Sequence, residues 1–248
     1  MRIENRHSGA EIYRDGAFTV RGTVINAIAG GISLADAELF EIDLSHLALN
    51  DCNLSGANLN SADLTGSDLS RCLLTGATLR GADLRAATLI EAKLTYADLT
   101  NANLRGANLT NATLIQTTLI QTVLVEANLH DARLLRVNAY RADFTGADLS
   151  YVDFTGATLT SAKLARANLY GTRFTDAALA NAELDTDTSL AIDLIVSNRA
   201  PATPQTVSPR VTRYMAPADP HANCGYVGTC VANLVDPAAR RCAAAPRS

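Results

Sequence analysis

The sequence predicts an all-β fold in which residues 32–186 wind as a four-sided coil. Three observations carry that prediction. Leu or a substitute recurs every fifth residue without a slip of phase, a small residue lies two positions before it, and the other three positions favour Asp, Asn, Ser, Thr, Gly and Arg. The series opens at Leu34, Leu39, Leu44, Leu49 and Leu54 and holds Leu to Leu134. It then takes Ala139, Phe144, Leu149 and Phe154, and ends at Leu159, Leu164, Leu169, Phe174, Leu179 and Leu184.

A period of five matches neither a helix face at about 3.6 nor a strand at about 2, so every five residues must turn a corner. With the central Leu and the preceding small residue inward, four sides close a coil of twenty residues. The 31 repeats then stack into a rod about 37 Å long at a strand spacing of about 4.8 Å. Burying each Leu contributes roughly 1.5 to 3 kcal/mol, and a narrow interior has room for one large residue per side. That accounts for the alanines, and for a chain that is 48% hydrophobic with only 5% aromatics and no Trp. Cys52 and Cys72 fall twenty residues apart at the small inward position. They read as small buried hydrophobes, with a disulfide or a metal pair as the alternative.

The stretches Ala57-Asn58-Leu59, Ala82-Asp83-Leu84, Ala97-Asp98-Leu99, Ala107-Asn108-Leu109 and Ala147-Asp148-Leu149 resemble the A(D/N)LXX signature of the pentapeptide-repeat family. The resemblance implies a right-handed quadrilateral β-helix without enzymatic activity or cofactor. For a few members it also implies binding to DNA gyrase by mimicry of DNA.

A solenoid needs a cap at each end. At residues 1–31, segments 2–6 and 10–14 flank His7-Ser8-Gly9 as a hairpin, and 22–29 reads as a short apolar helix ended by Gly30-Gly31. This leader is similar to that of some bacterial and bacteriophage members of the family. After Leu184 the register is lost, and Leu190, Ile192, Leu194, Ile195 and Val196 mark residues 187–200 as a capping segment. All seven prolines lie in residues 201–248, which read as a flexible tail. There His221, Cys224, Cys230 and Cys242 are potential zinc ligands, but their spacing matches no recognised zinc module, so no metal is expected.

The formal charge of −4 argues against direct binding of nucleic acid or of an anionic membrane. No apolar run reaches the roughly 18 to 20 residues that span a bilayer, and the first residues lack an unbroken apolar stretch, so the expected location is the cytoplasm. His7, His46, His130 and His221 accompany no recognisable nucleophile motif and read as solvated, and a convex rod offers no pocket for catalysis.

Function is therefore expected on the outer faces, where residues twenty apart stack. One row, Asp43, Asp63, Asp83, Asn103, Val123, Asp143, Lys163 and Glu183, is acidic with gaps, and its carboxylates are candidates for engaging a protein partner, DNA gyrase being one. The alternative is that they only serve the turns. Duplex DNA carries roughly 22 charges over such a length. Residues 31–185 hold 18 acidic and 11 basic side chains, a net of seven negative charges, so mimicry would rest on shape and a local patch. A second candidate surface gathers Ile90, Ile115, Ile120, Val123, Val125 and Leu135, for a protein partner or a homodimer.

Overall fold

The computed structural model describes residues 1–189 and Ile192. From Glu38 to Lys163, every fifth residue forms a parallel bridge with the residue twenty positions later, as in Asp43 with Asp63 and Leu73 with Lys93. The coil is therefore twenty residues, and successive coils stack in register. Each side carries one bridged residue and no extended strand, because a corner every five residues leaves too little straight backbone for a longer one.

The corner has a repeated chemistry. The amide of the small residue donates to the carbonyl of the Leu three positions before it, as in Ala57 to Leu54 at 3.1 Å. The third residue of that turn is left-handed, with φ between 53° and 69° from Asp36 to Asn181. Gly is the residue that adopts this region without strain, and Gly56, Gly66, Gly76, Gly106 and Gly146 stand there. Elsewhere Asp, Asn, Arg, Gln, Glu and even Ala86 adopt it, at a cost of roughly 1 to 2 kcal/mol per residue that stacking must offset.

The interior is a column of side chains. The central Leu residues from Leu34 to Leu169 and most of the small partners are almost completely buried. Polar substitutes at the small position turn their hydroxyls onto the backbone. Thr117, Thr122 and Thr172 each donate to the carbonyl of the residue 23 positions earlier, at 2.7 to 2.8 Å. Ala139, where the large residue is missing, shares its coil with Phe144, and both are fully buried. Phe144 meets Phe154 edge to face at 5.8 Å, and Phe154 stacks on Phe174 at 5.5 Å. One coil thus exchanges two leucines for a small and a large residue. At the far end the interior opens, with Leu179 half-buried and Leu184 36% exposed, because the five-residue register stops there.

The N-terminal segment sits on the first coil. Strands β1 (Arg2–Glu4) and β2 (Glu11–Arg14) pair antiparallel around a turn in which Asn5 Oδ1 accepts the amides of His7 and Ser8. The chain after β1 bridges the first coil antiparallel, Asn5 with Ala37, and the Arg6 and Glu38 amides close the pairing at 2.8 Å. Helix α1 (Val20–Ala29) begins two residues earlier than the apolar pattern indicates, because Thr19 Oγ1 accepts the Gly22 amide as its N-cap. It buries Thr23, Val24 and Ala27. Arg21 ties it to the coil through the Asp43 carboxylate at 2.6 Å and the Ser45 carbonyl at 2.7 Å.

At the C-terminal side, residues 186–189 are helical. Asp185 caps them reciprocally, its carboxylate accepting the Thr188 amide and its own amide donating to Thr188 Oγ1. Ile192 is buried. The rest of the expected capping segment 187–200, and the tail 201–248 with His221, Cys224, Cys230 and Cys242, lie outside the described residues.

Ala86→Gly relieves left-handed strain and raises stability by up to about 1 kcal/mol. Gly76→Ala, where a Cβ meets open space, costs about 1 kcal/mol. Gly171→Ala costs more, because its Cβ would stand 2.7 Å from the Tyr151 ring. Thermal unfolding should give that order of melting temperatures. For the core, Ala139→Leu overpacks and costs about 1 to 3 kcal/mol, while the double change with Phe144→Leu recovers most of the loss. Additive losses in urea unfolding would show that the two positions do not share volume.

Candidate functional site

The twenty-residue register places Asp43, Asp63, Asp83, Asn103, Val123, Asp143, Lys163 and Glu183 in one line, each bridged to the next. The acidic row is therefore a physical ladder. Its carboxylates are also occupied. Asp43 Oδ1 accepts the Ser45 amide at 2.9 Å, Asp63 that of Thr65 at 2.9 Å, Asp83 that of Arg85 at 3.1 Å and Asp143 that of Thr145 at 3.0 Å. The same bond from the amide two residues on recurs on the other sides, at Asn53, Asn58, Asp68, Asp98, Asn108, Asn128, Asp148 and Asp153. The residue before the centre thus builds the corner, which is why Asp and Asn alternate there so freely.

Two of the row's carboxylates are matched by cations of the protein itself. Asp43 is held below the usual carboxylate range by the Ser45 hydroxyl and amide, and then by Arg21. Asp83 is held down first by Arg85, whose guanidinium pairs with it at 2.6 Å. Outside the row, Asp51 is lowered by the bidentate Arg71 at 2.6 and 2.7 Å.

The apolar candidates are half-buried and spread around the rod. Ile115 and Leu135 stack at one corner, twenty residues apart. Ile120 lies at the next corner, Val123 and Val125 on the side and corner after that, and Ile90 at the fourth. The structure therefore joins Ile115 to Leu135, and Val123 to the acidic row. The six residues do not share one face.

The fourth corner carries a cluster that was not read from the sequence. His130 meets Tyr151 edge to face at 5.6 Å, and Tyr151 meets Tyr170 at 5.2 Å. His130 Nδ1 lies 2.8 Å from Ser150 Oγ, whose hydroxyl reaches Asp148 Oδ1 at 2.7 Å. The composition is that of a hydrolase triad, but the order is different. Here the serine stands between His and Asp, is 5% exposed, and satisfies both, so no base is placed to activate it toward a substrate. The signal was available, since 130, 150 and 170 are twenty apart, as are 151 and 171. His130 is a hydrogen-bonded member of this cluster and not a merely solvated ring.

Among the described residues, a group of His, Cys, Asp or Glu able to hold a metal is absent, and none of the helices is long and apolar enough to cross a membrane. An open hollow of ≈ 300 Å³ on the N-terminal hairpin is lined by Met1, Arg2, Arg14 and Asp15 and contains no nucleophile with a positioned base. What the described surface offers is rows and corners.

The family model described as pentapeptide repeats (8 copies) matches residues 37–76, 67–106, 102–138 and 140–176. No curated protein matches the sequence. Among solved structures, HetL, a pentapeptide repeat protein involved in heterocyst differentiation regulation from the cyanobacterium Nostoc sp. strain PCC 7120, is 29% identical. That match covers 65% of this chain and 93% of HetL, with a TM-score of 0.40. A trypsin-treated form of QnrB1, a plasmid-mediated fluoroquinolone resistance protein, is 21% identical over 65% of this chain and 84% of its own, with a TM-score of 0.37. A pentapeptide repeat protein from the thylakoid lumen of Arabidopsis thaliana is 24% identical over 61% of this chain and 77% of its own, with a TM-score of 0.15. With the repeat model matching more than half of its residues and the twenty-residue coil present in its backbone, the chain belongs to the pentapeptide-repeat family.

Proposed function

We propose that the protein is a non-enzymatic scaffold that docks a protein partner on the outer rows of its solenoid. The observation that supports this most directly is the unbroken twenty-residue register, which holds side chains of different coils in straight ladders on a rigid support. Such a support orders its contact residues before binding, so less side-chain freedom is lost on association. The chemistry of the described surface supports binding over catalysis, because its polar groups are spent on turns and ion pairs.

A second reading, engagement of DNA gyrase or a related type II topoisomerase through the acidic row, is favoured by the straight stacking of Asp43, Asp63, Asp83, Asp143 and Glu183. Against it stands the charge. Arg21 and Arg85 offset two of those carboxylates, and the row is interrupted at Val123 and Lys163. A partner reading this side would meet alternating charge and apolar contact, which suits a protein interface better than the uniform charge of a duplex imitation.

The experiment is capture of a partner from the native cell extract on the immobilised protein, followed by two variants. Asp63→Lys with Asp143→Lys changes the acidic row, and Ile115→Asp with Leu135→Asp changes the apolar corner. Capture that survives one pair and fails with the other assigns the row, whereas equal retention by both would remove the proposal. A supercoiling assay on purified gyrase tests the second reading. Inhibition that the lysine pair abolishes supports it, and unaffected supercoiling ends it.

A further inference from the structure

Cys52 and Cys72 occupy the small inward position in adjacent coils. The coils are joined beside them by the bridge of Asn53 with Leu73 and by the Leu73 amide bonded to the Cys52 carbonyl at 2.9 Å. Other polar substitutes at this position stack on apolar ones, as Thr117 does between Ala97 and Val137 and Thr122 between Ala102 and Ala142. Here a thiol stacks on a thiol. Cys72 is fully buried, with its Sγ 2.8 Å from the Leu49 carbonyl, while Cys52 is only half-buried.

We propose that Cys52 and Cys72 form an oxidisable dithiol, which a hydroperoxide converts to a disulfide linking adjacent coils from inside the rod. Cys52 is the attacking sulfur. It is the less buried of the two, whereas the neighbouring Cys52 thiol and burial push Cys72 up. The Cys52 thiolate attacks the peroxide oxygen, the O–O bond breaks, and the leaving oxygen departs as water (or as an alcohol from an organic hydroperoxide) after protonation, leaving a sulfenic acid. The Cys72 sulfur then displaces the hydroxyl from the Cys52 sulfur, forming the S–S bond and releasing a second molecule, this one water. Two thiols are oxidised and one peroxide is reduced. Cross-linking residues twenty apart restricts the unfolded chain and so stabilises the coils at that end of the rod.

Peptide mapping of the full chain tests this directly, since trypsin cuts after Arg71 and separates Cys52, in residues 22–71, from Cys72, in residues 72–80. After hydrogen peroxide treatment of the folded protein, the expected result is a covalent link between those two peptides that dithiothreitol removes, with a higher melting temperature for the oxidised chain. Cys72→Ala places the commonest small residue of the repeat there and should fold. It should lose both effects and accumulate sulfenic or sulfinic acid at Cys52. Replacing Cys224, Cys230 and Cys242 by Ser should leave the link intact. A link from Cys52 or Cys72 to one of those three, or over-oxidised Cys52 with Cys72 still a free thiol in the unsubstituted chain, would overturn the proposal.

Discussion

Everything in the solenoid depends on a corner that the backbone must turn once every five residues. The turn places a left-handed residue two positions after each buried centre, a conformation costly for most side chains, and it does so from Asp36 to Asn181. What offsets the cost is cooperative. Most corners are held by their own amide-to-carbonyl bond and by bonds to the coils on either side, and many also by a side-chain oxygen at the position before the centre. An isolated coil would have the strain without the neighbours, so the unit of stability is the stack.

This has a consequence for the surface. Part of what looks like functional polarity is architectural, because Asp and Asn before the centre give their Oδ1 to the corner. The acidic ladder is therefore a structural device first, and under the function proposed for it a substitution there disturbs two properties together. Cation partners such as Arg21 and Arg85 further flatten the field of that side. Discrimination by the rod would then come from the order of side chains along a row more than from net charge.

The coil length, the inward column and the acidic row were legible in the sequence, because a strict period of five with Leu34 to Leu184 in phase admits little else. The corner chemistry was only half legible. Gly56, Gly66 and Gly76 revealed a repeating turn, but Ala86 or Gln116 in left-handed backbone cannot be read from propensity, since stacking overrides it. The apolar group was misjudged as a cluster because it was taken in sequence order, whereas Ile115, Ile120 and Val125 face three successive corners. The His130, Ser150, Tyr151 and Tyr170 cluster is hidden in the sequence for the complementary reason: its members stand about twenty residues apart, at corner positions away from the one before the centre. Both errors come from one geometric fact, that neighbours here are twenty residues apart and not five.

The strand that joins the first coil, β1 with its continuation through Asn5, runs against the direction of the coils, whereas every coil-to-coil bridge is parallel. A parallel edge would accept another rod end to end, since its free amides and carbonyls repeat the spacing of the coil they imitate. Both edges of β1 are taken, one by the first coil and the other by β2, and the salt bridge of Arg2 with Glu4 at 2.5 Å adds charge beside them. On that side the first coil's amides and carbonyls at Ala37 are spent within the molecule, on its own leader.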